Sequence, residues 1–225
     1  MAPRITLWGL DGSPPTWAVR MLADILGIDV DYKVLDFLNL EHKSPKMLKL
    51  NPMGTLPVIQ DGEFNLPESH TIMSYLLEKY GQQHKERLYP SDIKARALVN
   101  QVMYFDTGIV FIKVKLVALP ALFEGVDHLK PEVAKQIDDA YEIVNDYLTR
   151  NVYVAGNRLT IADLALGTSV LALDSVYPVK AVTYPKVTEW LARLKQESFF
   201  SKYAVPGAAT LGSFIKGSWE QNKKK

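Results

Sequence analysis

The stretch TLWGLDGSPPTWAVRMLADIL, residues 6–26, decides the fold of this chain because it reads as a strand, a turn and a helix in succession. The apolar run that starts at Ile5 predicts the strand. Ser13 is a favoured N-cap and Pro14 a favoured first helical residue, so a helix is expected to begin there. The apolar residues of this helix recur at helical spacing on one face, at Ala18, Val19, Leu22, Ile25 and Leu26.

The position of Ser13 is the first functional signal. Its hydroxyl stands at the end of a predicted strand and at the N-terminus of a predicted helix, where the partial positive charge of the helix favours an anion. Serines that only cap a helix are common, and the residues of this stretch fit that role as well. On this stretch alone, both interpretations stay open.

Composition restricts the class of protein. The 225 residues suffice for one large domain or two small ones, and 48% hydrophobic with 23% charged residues is typical of a globular protein. A net charge of +1 gives no electrostatic case for nucleic acid or a membrane surface as partner. Because the chain has no cysteine, disulfides, catalysis by a protein thiolate and thiolate metal sites are excluded.

Two features of the sequence lead us to expect a cytoplasmic protein. The lack of cysteine fits a reducing compartment. The first residues, MAPRITLWGLDGSPP, lack the long apolar core of a signal peptide, and no apolar run is long enough to span a bilayer.

Residues 1–81 show the pattern of a small α/β domain. The segment 30–36 alternates apolar and polar residues, so a strand, a helix and a strand form a right-handed unit with parallel strands. Residues 37–50 predict a loop and a short helix. Two further strands that turn at Asp61-Gly62, followed by a helix that begins at Glu68-Ser69, complete a mixed sheet with helices packed on it.

After this region, the sequence patterns that predict strands become weak. Residues 82–90 are polar and predict a linker, and residues 91–225 predict an all-helical domain. Within that domain, Thr160 and Asp163 predict a capping box, which assigns Asp163 to folding rather than to chemistry. One apolar stripe at helical spacing consists of Leu98, Val102, Phe105, Ile109 and Ile112.

Four motifs follow one another along nearly the whole chain: Ser13-Pro14-Pro15, Leu56-Pro57, Glu68-Ser69-His70, and LTIADL at residues 159–164. In this order they resemble the cytosolic glutathione transferases. With YPKVTEW at residues 184–190, the resemblance is nearest to the insect delta and epsilon classes, with an unclassified insect member as the alternative. The resemblance implies a thioredoxin-like N-terminal domain and an all-helical C-terminal domain. It also implies a homodimer without metal that conjugates glutathione to hydrophobic electrophiles in detoxification, with peroxidase or dehydrochlorinase side activity.

The resemblance also implies the residues that bind glutathione. Ser13 would donate a hydrogen bond to the sulfur and hold it as thiolate, with helix capping as the alternative role. The implied set is Ser13, His42, Leu56, Pro57, Glu68, Ser69 and His70.

Five residues of this set belong to the two middle motifs. A cis bond before Pro57 would let the backbone of Leu56 pair with the cysteinyl part of glutathione; an ordinary trans turn proline is the alternative. Ser69 would hold the α-carboxylate at its helix N-terminus and Glu68 the ammonium, although the same residues also suit helix capping. His70 also fits a purely structural role.

One departure from the family pattern lies at Gly54. Delta and epsilon members usually read Asn-Pro-Gln-His-Thr, with the histidine near the glycine end of glutathione, whereas residues 51–55 here read Asn-Pro-Met-Gly-Thr. His42 and Lys43 are the nearest residues that could replace this contact, although charged residues in loops are usually only solvated. We therefore expect weaker glutathione binding or an altered substrate range.

The electrophile is expected to bind between the two domains, where small-molecule sites often lie. The first long helix of the C-terminal domain and the end of the chain would supply the wall, although stripes of apolar residues on helices usually belong to the core. The residues expected there are Tyr104, Thr107, Phe111, Lys115, Leu211 and Phe214.

Two other functions are compatible with such a fold. A protein that carries hydrophobic ligands without catalysis, or acts as a scaffold, is favoured by the missing histidine at Gly54, while retention of Ser13, Glu68 and Ser69 favours catalysis. A disulfide oxidoreductase needs a protein thiol and is excluded by the absence of cysteine.

Overall fold

The computed structural model describes residues 5–224. Its strands form one four-stranded mixed sheet in the order β2-β1-β3-β4, in which β1 runs parallel to β2 and antiparallel to β3. Residues 1–4 and 225 lie outside the described part. The prediction that no signal peptide is present depends partly on residues 1–4, so that part of it lies outside the described residues. The strands are β1 (Ile5–Gly9), β2 (Val30–Val34), β3 (Val58–Asp61) and β4 (Phe64–Pro67).

Helices cover the sheet and form the rest of the molecule. Among residues 5–224, no helix is both long and apolar enough to cross a membrane. A π-helical turn, Asp106–Val110, joins α5 to α6. The helices are α1 (Pro14–Leu26), α2 (Pro45–Leu50), α3 (Ser69–Tyr80), α4 (Gln82–Leu88), α5 (Ile93–Phe105), α6 (Phe111–Phe123), α7 (Pro131–Arg150), α8 (Ile161–Asp174), α9 (Pro185–Gln196) and α10 (Ser198–Asn222).

The helix α1 begins where its sequence predicts and ends at a glycine. Pro14 is its first residue, and Gly27 ends it in the left-handed conformation with φ of 65°, which glycine adopts without steric cost. Its buried face, with Trp17 and Leu22 at its centre, packs against α3 and also against α8 and α10. The sheet half and the helical half therefore share one continuous core.

The helix α8 is the centre of the helical half, with every residue from Ile161 to Leu173 buried. The predicted capping box at its start is confirmed. Asp163 accepts hydrogen bonds from the backbone N–H of Val154 (3.0 Å) and from the indole Nε1 of Trp190 (3.1 Å). It also accepts from the backbone N–H (2.9 Å) and hydroxyl (3.1 Å) of Thr160, so this carboxylate joins three separate segments.

The predicted apolar stripe along α5 and α6 is wrong at three of its positions. Leu98, Ile109 and Ile112 are exposed, whereas the neighbouring Val99, Val110 and Val114 are buried. The π-helical turn holds more residues per turn than an α-helix, so it shifts the buried face of α6 relative to a regular helical repeat. A stripe drawn at constant spacing through residues 106–110 therefore loses its register at Ile109 and Ile112. Leu98 precedes the turn, and there the predicted face was one residue away from the buried Val99.

The segment predicted as a linker, residues 82–90, contains the helix α4, and Leu88 at its end is buried. This part of the chain is thus a packed element. The predicted second strand is also shorter than expected, because β2 ends at Val34 and the backbone N–H of Leu35 then donates to the carbonyl of Gly9.

Candidate active site

A cavity of about 790 Å³ lies between the sheet half and the helices α6 and α10. Most of the residues expected from the sequence line it, and they come from both halves of the chain. Tyr104 does not line it; that side chain is 74% exposed, so its expected role in electrophile binding is not supported by its position. The expected residues that line the cavity are Ser13, His42, Leu56, Glu68, Ser69, His70, Thr107, Phe111, Lys115, Leu211 and Phe214.

Ser13 is buried at the bottom of the turn between β1 and α1, and its side chain forms no capping hydrogen bond within the described chain. Its carbonyl accepts the N–H groups of Thr16 (3.0 Å) and Trp17 (3.1 Å), whereas Pro14 and Pro15 have no N–H to offer. The first turn of α1 therefore presents no free backbone donor to a ligand. The hydroxyl of Ser13 is a hydrogen-bond donor at this end of the cavity.

The peptide bond between Leu56 and Pro57 is cis, as the resemblance implied. Leu56 lines the cavity, whereas Pro57 does not line it. Neither the N–H nor the carbonyl of Leu56 is paired with another residue between 5 and 224. An extended peptide laid along Leu56 can therefore form backbone hydrogen bonds with it, as a neighbouring strand would.

The start of α3, unlike the start of α1, has backbone N–H groups without a hydrogen-bond partner among residues 5–224. The backbone N–H groups of Ser69 and His70 have no acceptor within the described part of the chain, and Ser69 is buried at the cavity wall. Such N–H groups at a helix N-terminus suit a carboxylate. Glu68 precedes them with φ of 70°, an unusual backbone conformation for this residue type that is found most often at functional sites.

His70 has a partner in the helical half. Its Nε2 lies 3.0 Å from Oδ2 of Asp106 in the π-helical turn. Asp106 is 3% exposed, and its other oxygen, Oδ1, is buried with no hydrogen-bond partner among residues 5–224. Nε2 of His70 thus takes part in a contact between the two halves of the chain. The rest of the imidazole ring is the part that faces the cavity.

The loop between β2 and α2 forms the opposite end of the cavity. The ring of His42 stacks on Phe37 with centroids 4.6 Å apart, and Phe37 in turn contacts the edge of Phe123 at the end of α6. Burial, with a smaller contribution from the charge of Lys43, lowers the pKa of His42 below 6.5. Both effects favour the neutral form of this imidazole.

The wall of the cavity that the helical half forms is apolar, and part of it is exposed to solvent. Phe111, Val114 and Leu211 line it, and Lys115 lies beside them with its Nζ 5.1 Å from the ring centroid of Phe111. Large apolar side chains also surround the opening of the cavity although they are exposed to solvent. These exposed residues, the apolar rim, are Val34, Leu38, Leu40, Leu119, Phe123 and Phe214.

Most of the apolar rim was not foreseen from the sequence. Leu38 and Leu40 lie in a segment whose charged residues suggested a plain surface loop, and Leu119 and Phe123 extend α6 beyond the residues that were expected to line the site. The signal that could have found the loop residues is the run FLNL at residues 37–40, which is unusually apolar for a loop.

Comparison with known proteins identifies the family. The glutathione S-transferase N-terminal domain family matches residues 7–84, and the glutathione S-transferase C-terminal domain family matches residues 102–197. Glutathione S-transferase 1 of Manduca sexta is 36% identical over 205 residues, which cover 90% of this chain and 93% of the relative. The chain therefore belongs to the glutathione transferase family.

Solved structures of insect proteins agree with this assignment. A glutathione transferase homologue from Drosophila mojavensis, solved with bound glutathione, is 38% identical with a TM-score of 0.91 and covers 96% of this chain and 97% of its own. An epsilon-class glutathione S-transferase from the housefly Musca domestica is 32% identical with a TM-score of 0.91 and covers 96% and 98% of the two chains. The predicted fold class and the resemblance to insect glutathione transferases are confirmed.

Proposed function

We propose that this protein transfers glutathione to bulky hydrophobic electrophiles and that the hydroxyl of Ser13 holds the sulfur of glutathione as thiolate. The observation that carries the proposal is the hydroxyl of Ser13 in the cavity, which forms no capping hydrogen bond within residues 5–224. The chain has no cysteine, so the nucleophilic sulfur has to come from the substrate. The solved Drosophila mojavensis homologue carries bound glutathione, which supports the same ligand here.

The energy that this role needs is within reach of one serine. A free thiol has a pKa of about 8.5, and lowering it by about two units needs about 2.7 kcal/mol of preference for the anion. A hydrogen bond to a charged group contributes about 1.5–3 kcal/mol, and the positive end of a helix adds about 0.3–1 kcal/mol. Ser13 at the start of α1 supplies both contributions.

The remaining groups would hold the tripeptide in place. The unpaired backbone of Leu56 suits the cysteinyl residue, the N–H groups of Ser69 and His70 suit the α-carboxylate, and Glu68 suits the ammonium. The protein then accelerates the reaction by holding thiolate and electrophile side by side, which replaces a bimolecular encounter with an intramolecular one. Ser13 needs no general base for this role.

The electrophile would occupy the part of the cavity lined by Phe111, Leu211 and the apolar rim. An opening with exposed apolar side chains favours substrates that are large and hydrophobic, because their binding removes this surface from water. One thiolate in such a site supports conjugation, reduction of hydroperoxides and elimination of chloride. A role in detoxification agrees with this range of reactions.

We extend the proposal to the assembly and the location of the protein. Residues 1–81 would act as the glutathione-binding domain, residues 82–90 as a helical connection and residues 91–225 as the domain of the hydrophobic pocket. The family forms homodimers through the N-terminal domain of one subunit and the helical domain of the other. We propose the same homodimer here, in the cytoplasm, and sedimentation velocity of the purified chain tests the assembly.

The test of the proposed activity is the ultraviolet absorbance of bound glutathione thiolate against pH, in the native protein and in Ser13→Ala. We expect a pKa well below that of a free thiol in the native protein and a value near the free one in Ser13→Ala. Equal values near that of free glutathione in both proteins would contradict the role of Ser13.

A carrier of hydrophobic ligands without catalysis is the second candidate function, and the extent of the apolar rim favours it. The two candidates differ in turnover. A carrier would bind a hydrophobic fluorescent dye in the cavity but would not conjugate 1-chloro-2,4-dinitrobenzene at a measurable rate above the spontaneous reaction.

A further inference from the structure

The turn that carries Ser13, residues 10–13, lies between β1 and α1. It is closed by a hydrogen bond of 3.2 Å from the backbone N–H of Ser13 to the carbonyl of Leu10. A hydrogen bond weakens steeply when its angle is poor, so the hydroxyl of Ser13 can stabilise a thiolate only from a fixed position. That position depends on the groups that hold the turn against the rest of the protein.

Trp17 holds this turn from the inside of the protein. Its indole Nε1 donates to the carbonyl of Asp11, 2.6 Å away, and its backbone N–H donates to the carbonyl of Ser13 at 3.1 Å. Within residues 5–224, no other group donates to the carbonyl of Asp11. The side chain of Trp17 is fully buried, so this hydrogen bond is shielded from water and stronger than it would be at the surface.

Two contacts on the outside hold the same turn less firmly. The carboxylate of Asp11 accepts from the guanidinium of Arg20 and from the hydroxyl of Tyr32, each at 3.1 Å. This carboxylate is 60% exposed, and ion pairs at the surface contribute little and are screened by salt. The buried indole therefore contributes most to the position of the turn.

The orientation of the indole is set by α10 of the helical half. A Cβ placed on Gly207 would lie 2.3 Å from Cε2 and 2.4 Å from Nε1 of Trp17. The ring edge that carries the donor thus lies directly against the backbone of α10, in a space that only a glycine leaves open. The hydrogen bond to the carbonyl of Asp11 consequently depends on a helix near the other end of the chain.

We propose that Trp17 is a positioning residue, which fixes the turn through the carbonyl of Asp11 and so directs the hydroxyl of Ser13 toward the sulfur of glutathione. The inference rests on the proposed role of Ser13 and adds the residue that keeps this serine in place. Trp17 does not line the cavity, so its effect reaches the sulfur through Ser13.

The experiment measures the pKa of bound glutathione, by thiolate absorbance, in the native protein and in Trp17→Phe, which keeps an aromatic ring and removes the N–H. We expect this pKa to rise by about one unit, about half of the effect expected for Ser13→Ala. An unchanged pKa in Trp17→Phe would overturn the proposal.

Trp190→Phe is the matched control. Trp190 is as fully buried as Trp17, and its Nε1 donates to Asp163, which does not line the cavity. Trp190→Phe should lower the urea midpoint of unfolding and leave the pKa of bound glutathione at its native value. An equal rise of this pKa in both variants would show a general effect of losing a buried indole and would contradict the role of Trp17.

A second substitution separates the hydrogen bond from packing. In Trp17→Phe the missing part of the indole leaves space beside Gly207, and Gly207→Ala adds a methyl group there. The double variant should recover part of the stability lost in Trp17→Phe, measured by urea unfolding, because the cavity becomes smaller. The pKa of bound glutathione should stay raised, because the N–H is still missing. A return of this pKa to the native value would assign the effect to packing and overturn the proposal.

The combination of Trp17→Phe with Ser13→Ala distinguishes this inference from the proposed function. If Trp17 acts through Ser13, the double variant should show the pKa of Ser13→Ala alone, and a further rise would overturn the inference. If Ser13→Ala raises the pKa and Trp17→Phe does not, the role of Trp17 fails and the role of Ser13 stands. If Ser13→Ala leaves the pKa at its native value, it is the proposed function of Ser13 that fails.

Discussion

Nε2 of His70 lies 3.0 Å from Oδ2 of Asp106, and this pair joins the start of α3 to the π-helical turn between α5 and α6. Asp106 is nearly fully buried, and within residues 5–224 its second oxygen has no hydrogen-bond partner. His70 is therefore the group that compensates the burial of this carboxyl. The contact lies at the cavity, so it also sets how the two halves of the site face each other.

Removal of one partner of this pair should destabilise the protein more than removal of both. His70→Ala leaves the buried carboxyl of Asp106 unpaired, and we expect a loss of about 3 kcal/mol in the free energy of unfolding. The double variant His70→Ala/Asp106→Ala should lose less than His70→Ala alone, and therefore less than the sum of the two single variants. Urea unfolding of all four proteins measures this coupling, and strict additivity would show that the pair does not interact.

Ser13→Ala should separate catalysis from folding. Because the side chain forms no capping bond within the described structure, we expect the free energy of unfolding to change by less than about 0.5 kcal/mol, whereas the loss of a capping serine typically costs about 1 kcal/mol. If the pKa of bound glutathione rises from about 6.5 to about 8.5, the thiolate fraction at pH 6.5 falls about 50-fold. Conjugation at that pH should fall to the same extent, and a stable but fully active variant would contradict the assignment.

Phe111 and Tyr104 offer a matched test of the electrophile wall, because both are aromatic and lie on either side of the same π-helical turn. Phe111 lines the cavity and Tyr104 does not. We expect Phe111→Ala to raise KM for a hydrophobic electrophile about tenfold and to leave KM for glutathione unchanged, since burial of an aromatic ring contributes about 1.5–3 kcal/mol. Tyr104→Ala should leave both KM values at the native level.

The buried Asp163 gives the protein a specific pH dependence. Burial, only partly opposed by hydrogen bonds from Thr160, Val154 and Trp190, raises its pKa from 3.8 to about 6. A carboxyl whose pKa is higher in the folded than in the unfolded state stabilises the fold fully at low pH, and this contribution is lost as pH rises from about 4 to about 6. The difference in pKa corresponds to about 3 kcal/mol.

Asp163→Asn tests this dependence. The variant lacks the titrating group, and its amide places a donor against the N–H and hydroxyl of Thr160, so it should be less stable than the native protein at every pH. The gap in the free energy of unfolding should be largest near pH 4 and narrow toward pH 6.5. A gap of constant size across this range would show that Asp163 does not titrate there.

The sequence by itself determined the elements whose signals are local. Ser13 and Pro14 start α1, Gly27 ends it, and Thr160 with Asp163 forms the predicted capping box, because caps and turns depend on residues that are neighbours in the chain. The four motifs from Ser13 to Leu164, taken in their order along the chain, were sufficient to predict the family and the two-part fold. Among the expected residues that line the cavity, those on the sheet side belong largely to these motifs, whereas those on α6 and α10 were expected from the two-part fold.

Only the tertiary structure decided the features that depend on residues far apart in the chain. The contact between His70 and Asp106 joins positions 36 residues apart, and the π-helical turn that carries Asp106 shifted the faces of α6 away from any regular repeat. The position of the Ser13 hydroxyl in the cavity also follows from packing between segments far apart in the chain, which no periodicity encodes. Local propensity selects the elements, whereas the positions of side chains in the cavity are set by the core that holds these elements together.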